Sequence, residues 1–146
     1  MKKFIFRLET LLRIRKAREG TLKRDLEYAH QKWLQSKSHE VTLQTQIGTL
    51  MDEMQKRRLE GNFDLQDTYS QILDHLSAAL FAAQQNLSAE QKRLEVQQAC
   101  LKLAIQQRKI IEKIKEKHYS DWRTSEIQTE EALLDEIGCH KQAHLG

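Results

Sequence analysis

Steps of three and four residues, taken in alternation from Ile5, land on Ile5, Leu8, Leu12, Arg15, Glu19, Leu22, Leu26, Ala29, Trp33, Ser36, Glu40, Leu43, Ile47, Leu50 and Met54. An apolar majority on a 3.5-residue period marks a helix that lies against another helix along its length. Little in the chain stops such a helix, because none of the 146 residues is Pro and only five are Gly. Gly20 and Gly48 fall inside the run, and each costs about 1 kcal/mol relative to Ala, too little to end it. The polar members cluster at Arg15 and Glu19 and again at Ser36 and Glu40. These two gaps predict flexible stretches or partner surfaces.

The first real punctuation is Glu60-Gly61-Asn62-Phe63-Asp64. Gly61 suits a left-handed helix C-terminus, and Asp64 suits a side-chain acceptor for the next helix's free amides. A second run then follows the same stepping through Tyr69, Leu73, Leu76, Leu80, Ala83, Leu87, Glu90, Leu94, Gln97, Leu101, Ala104, Arg108 and Ile111. Its phase blurs at Ile110 and Ile114 and continues irregularly through His118, Trp122, Ile127, Leu133, Leu134 and Ile137. The prediction is an all-α chain, 1–146, forming one long antiparallel two-helix coiled coil. Helix 1 covers about 4–59, the turn 60–64, helix 2 about 65–137, and a frayed tail 138–146. At about 1.5 Å per residue the arms span roughly 84 and 110 Å. Folding about residue 62 sets Leu43 near Phe81, Leu22 near Lys102 and Leu8 near Glu116. Everything after about Ser120 then forms an unpaired overhang, in which Trp122 is the expected contact residue because a large exposed aromatic suits an interface anchor.

The net charge is only +3, but it is unevenly placed. Residues 1–37 carry eleven Lys and Arg against four Asp and Glu, and residues 92–123 carry nine against four. The hairpin brings these stretches to one basic end. Residues 38–91 hold three basic and eight acidic side chains, and residues 124–138 hold Glu126, Glu130, Glu131, Asp135 and Glu136 with no basic residue. The run Arg13-Ile14-Arg15-Lys16-Ala17-Arg18 lacks interleaved aromatics and is diluted by Glu9, Glu19, Asp25 and Glu27, so an acidic protein partner suits it better than nucleic acid or lipid. Otherwise it is a solvated helix face.

Chemistry is sparsely represented. No G-x-x-x-x-G-K-[ST] loop is present, which excludes that class of ATPase. His30, His39, His75 and His118 have no companions arranged as a triad or a zincin, and a two-helix surface offers no site that excludes water. No cofactor is expected. Cys100 and Cys139 lie outside C-x-x-C spacing and read as free thiols. Cys139, His140 and His144 could face one way on a helix, but structural zinc normally takes four ligands, so a plain tail is expected there. Arg7 and Glu9 interrupt the apolar start too early for a secretory leader, and the uncharged stretch 75–89 is too short and too polar to span a bilayer. The expectation is a cytoplasmic protein.

Three blocks carry a resemblance when taken in order: Phe4-Ile5-Phe6-Arg7-Leu8-Glu9-Thr10-Leu11-Leu12 with Arg15, then Arg108-Lys109-Ile110-Ile111-Glu112-Lys113-Ile114-Lys115-Glu116-Lys117, then Leu134-Asp135-Glu136-Ile137. With the hairpin's length and position, the chain resembles the flagellar export protein FliJ family from Phe4 to about Ile137. The resemblance implies a non-enzymatic component of the flagellar type III export apparatus, peripheral to the inner membrane. The terminal end of the hairpin, opposite the turn, enters the ring of the export ATPase FliI and promotes ring formation, and the protein also contacts the export gate protein FlhA and export chaperones. Carried over residue by residue, the ATPase contact implies Phe4, Phe6, Leu8, Leu12 and Arg15 on the first arm and Arg108, Lys109, Glu112, Lys113 and Lys115 on the second. The gate contact implies Leu43, Leu50, Tyr69, Ile72, Leu76 and Ala79, of which only Ile72, off the main register, is expected to be exposed. Asp52, Glu53 and Asp74 beside that patch depart from the family pattern. The equivalent stalk of a virulence type III secretion system and a generic coiled-coil scaffold are the competing readings.

Overall fold

Gly61 sets the hairpin, with its backbone at φ 76°. The amide of Asn62 donates to the Arg57 carbonyl at 2.9 Å and that of Gly61 to the Arg58 carbonyl at 3.1 Å. These two bonds form a Schellman closure, which satisfies carbonyls that a helix end leaves open and needs a residue at ease with positive φ. Asn62 then turns the chain, its Oδ1 accepting from the Asp64 amide at 3.3 Å. Asn62, rather than the expected Asp64, is therefore the side-chain acceptor of the turn. The first amide of the next helix, on Gln66, donates to the Phe63 carbonyl at 3.4 Å.

A computed structural model describes residues 2–145, with side chains from 2 to 139. Its two helices pack against each other: α1, Glu9–Leu59, and α2, Gln66–Leu145. Glu9 and Asp67 stand in the first turns and Lys56, Arg57 and Arg58 in the last turn of α1, each on the side that the helix dipole favours. No helix among the described residues is long and apolar enough to cross a membrane.

Both ends differ from the expected bounds. α1 starts at Glu9 rather than near residue 4, because residues 4–8 follow a period of two. Phe4 and Leu8 are half-buried and Phe6 buried, while Ile5 and Arg7 are exposed. Alternation of this kind belongs to a non-helical segment whose alternate side chains face the core. It places Phe6, and not Ile5, inside. α2 continues through Gly138 to Leu145, past the expected end at 137. One Gly without a following Pro is too weak a stop. Gly138 and Cys139 are exposed on this extension, whereas the side chains of His140 and His144 lie outside the described residues.

Contacts cluster into two compact units. The first joins residues 1–20 to 102–146 and is built on Phe6, Leu12 and Ile111, with Phe4, Leu8, Leu11 and Ile114 packed against them. The second comprises residues 21–101, with Ala29, Leu43, Leu50, Met54, Ala83 and Leu94 buried. Every seam position named above is buried or half-buried except Ile5. The polar residues of the two gaps find partners within the hairpin, although the buried Arg15 Nε has none. In the first unit an Arg15 guanidinium nitrogen donates to Gln107 at 2.8 Å, and Arg108 pairs with Glu19 and, at 2.7 Å, with Glu112. In the second, Asn86 donates to Ser36 at 3.3 Å, and Glu40 accepts from Gln44 at 3.2 Å with Lys37 at 3.7 Å. A buried polar group on a seam is tolerated when it finds such a partner.

Candidate functional site

Unit one gathers the residues implied for the ATPase contact, and then divides them by role. Heptad stepping turns Arg15 and Arg108 toward the opposite helix, where Gln107 engages Arg15 and Glu19 engages Arg108, while Glu112 holds Arg108 from one turn along its own helix. Arg108 holds its proton more firmly than a free arginine, first because it hydrogen-bonds Glu19 and then because it bonds Glu112. Lys115 pairs with Glu9 at 2.8 Å and stands 6.0 Å from the Phe6 ring centre. That bond, more than any other influence, holds the Glu9 carboxyl below its ordinary value; slight desolvation opposes it, and Arg13 and Lys16 reinforce it. Arg15, Arg108 and Lys115 therefore bind the two arms together, and Glu112 braces Arg108 from its own helix.

Lys109 and Lys113 differ, because both are exposed. They stand four residues apart on α2, and Lys117, also exposed, extends the column by one more turn. Arg13, Lys16 and Arg18 are the outward members of the α1 basic run. In all, residues 1–20 and 102–123 hold fourteen Lys and Arg against five Asp and Glu. The i, i+4 spacing of Lys109, Lys113 and Lys117 already signals one common face in the sequence.

Trp122 is not an unpaired overhang residue. It is half-buried, with its ring 5.8 Å from Phe4 and 5.9 Å from Tyr119, while Phe4 meets Tyr119 edge-on at 5.2 Å. Phe6 likewise meets His118 at 5.7 Å. The reason is reach, since an extended residue advances about 3.3 Å against 1.5 Å in a helix. The non-helical segment thus covers more of α2 than a helix of the same length. Tyr119 was missed for the same reason, although the Phe-x-Phe-x-Leu alternation carried the signal.

In unit two, the residues implied for the gate contact are mostly core. Leu43 and Leu50 are buried, Tyr69, Leu76 and Ala79 half-buried, and Ile72 exposed at 43%. Tyr69 donates to Glu53 at 3.1 Å and lies under the Arg57 guanidinium at 5.2 Å. Partial burial, and then that bond to a carboxylate, raise its phenol above the ordinary value. Trp33 is half-buried on the seam and stacks on His30 at 6.3 Å.

No group of three or more metal-ligating side chains occurs among the described residues. Cys100 and Cys139 are exposed free thiols. The contacts and exposed columns described here suit protein recognition by a helical pair.

No curated protein and no solved structure matches the chain. A family model described as "Flagellar FliJ protein" matches residues 3–143, which takes in the non-helical start, both helices and the turn. The chain therefore belongs to the FliJ family and is a component of flagellar type III protein export.

Proposed function

We propose that this chain is a non-enzymatic stalk that binds the ring of the export ATPase FliI through unit one and promotes its assembly and turnover. The observation that carries the reading is the exposed column of Lys109, Lys113 and Lys117 on a unit whose remaining charged seam residues are paired internally. Charges left facing solvent can steer and orient an acidic partner, while buried partners fix the shape that presents them. The internal pairs thus serve the exposed column by holding both arms in register.

A stalk of this kind acts by differential binding. It favours one subunit conformation of a ring over another, and shifts the equilibrium only by its difference in affinity for the two. The same reading assigns the contact with the gate protein FlhA to the surface around Ile72, with Leu76 and Ala79 as half-buried neighbours, and includes exchange of export chaperones. Its test is the ATP hydrolysis rate of the cognate export ATPase with and without this chain, with ring assembly followed in the same samples. Faster hydrolysis together with more rings supports the stalk. No change in either refutes it.

A further inference from the structure

The seam of α2 continues beyond the chain that fills it. Eleven residues are close to three whole turns of helix, so Ile111, Trp122 and Leu133 lie nearly in line, and Ile137 follows one turn later. Ile111 is buried against Phe6 and Leu12, and Trp122 is covered by Phe4. Leu133 is 54% exposed and Ile137 53%. Ile127 and Leu134, seven residues apart at the edge of the same stripe, are exposed as well. These apolar positions thus carry the line of the intramolecular interface onward past Trp122.

Its charge indicates what fits there. Residues 124–138 contain Glu126, Glu130, Glu131, Asp135 and Glu136 and no Lys or Arg. The chain itself supplies two basic neighbours, since Lys2 and Arg123 line a groove with Trp122, Glu126, Ile127 and Glu130. A second copy offering the same face would set two such carboxylate runs together, which like-charge repulsion opposes. An anionic lipid surface is opposed for the same reason.

We propose that Ile127, Leu133, Leu134 and Ile137 form a docking face for an amphipathic helix of a different protein, flanked by Lys and Arg, that occupies the seam beyond Trp122. Ile127, Leu134 and Ile137 follow the three-and-four stepping of a helix–helix seam, with Glu130 at the remaining step and Leu133 beside it, and the carboxylates select a basic partner. This surface is separate from the basic column of unit one, and neither assignment depends on the other.

The probe is a synthetic labelled helix of three heptads with Leu at a and d and Lys at e and g, titrated against the full chain. A peptide with Glu at e and g and a peptide with Ser at a and d serve as controls. The Lys peptide is expected to bind at least about tenfold tighter than either control at low salt, with the margin over the Glu peptide shrinking as salt screens the charges. Leu133→Gln with Ile137→Gln should weaken it by about tenfold or more at unchanged helicity, whereas Leu103→Gln, exposed elsewhere on α2, should leave it unchanged. Equal binding of all three peptides, or full binding by the double variant, overturns the proposal. So does a doubling of the chain's own mass with concentration that the double variant abolishes, since a second copy would then cover the face.

Discussion

Glu9 and Lys115 tie the first turn of α1 to α2 at 2.8 Å, next to the Phe6 ring. Because the folded state lowers the Glu9 pKa, the pair contributes stability that is fully present above the ordinary value of 4.5 and fades as pH falls through the lowered folded value. Melting temperatures between about pH 2 and 6 should therefore separate the native chain from Glu9→Gln at the upper end and converge at the lower end. A gap that stays constant with pH would contradict the assignment. The deeper pair, Glu19 with Arg108, sits at side-chain exposures of 8% and 21%. Arg108→Leu takes the guanidinium away from the Glu19 carboxylate and should lower the stability of the chain in urea denaturation. Glu19→Leu combined with Arg108→Leu should recover most of that loss in urea denaturation, because two apolar groups on a seam replace two charges that had to be desolvated. A double variant as unstable as the single one would show that the pair is not the source of the effect.

At the scale of elements, the non-helical start is the piece that the heptad pattern hides. Stepping by three and four assigns Ile5 to the seam, yet Ile5 is 82% exposed and Phe6 only 6%. The pattern stays legible wherever the backbone is helical, which is why Leu8 to Met54 and Tyr69 to Ile111 all face inward or partly inward. It fails at residues 4–6, where the period changes from 3.5 to 2 while the composition stays apolar. The site was legible to the same degree. Residue types and spacing gathered the basic side chains at one place, but which of them are paired depends on the opposite helix. Arg15 and Lys109 look equally available in sequence, and only the first meets a partner across the seam. The segment's role in covering α2 has a direct optical readout. In a Trp33→Phe background, Phe4→Ala should shift Trp122 emission to longer wavelength and raise its quenching by acrylamide, with helicity unchanged. Unaltered emission would mean that Phe4 does not shield the indole.

At the scale of the whole molecule, the chain separates tasks between its paired charges and its exposed ones. The seam, the Schellman turn at Gly61 and the internal ion pairs hold two helices of 51 and 80 residues in register. On the proposed reading the exposed Lys109, Lys113 and Lys117 face a partner, and the chain's membership of the FliJ family makes a component of flagellar export the one to test. The central claim is that this column couples the hairpin to the export ATPase. Its most direct test is stimulation of the cognate ATPase by three forms of the chain: native, Lys109→Glu with Lys113→Glu, and Gln55→Glu with Lys56→Glu near the turn. All substituted residues are exposed, so helicity should be the same in the three. The account predicts that the first double variant loses stimulation at least about tenfold, as expected when charges that steer and orient a contact are reversed, while the turn variant stimulates like the native chain. Equal stimulation by all three forms would contradict it.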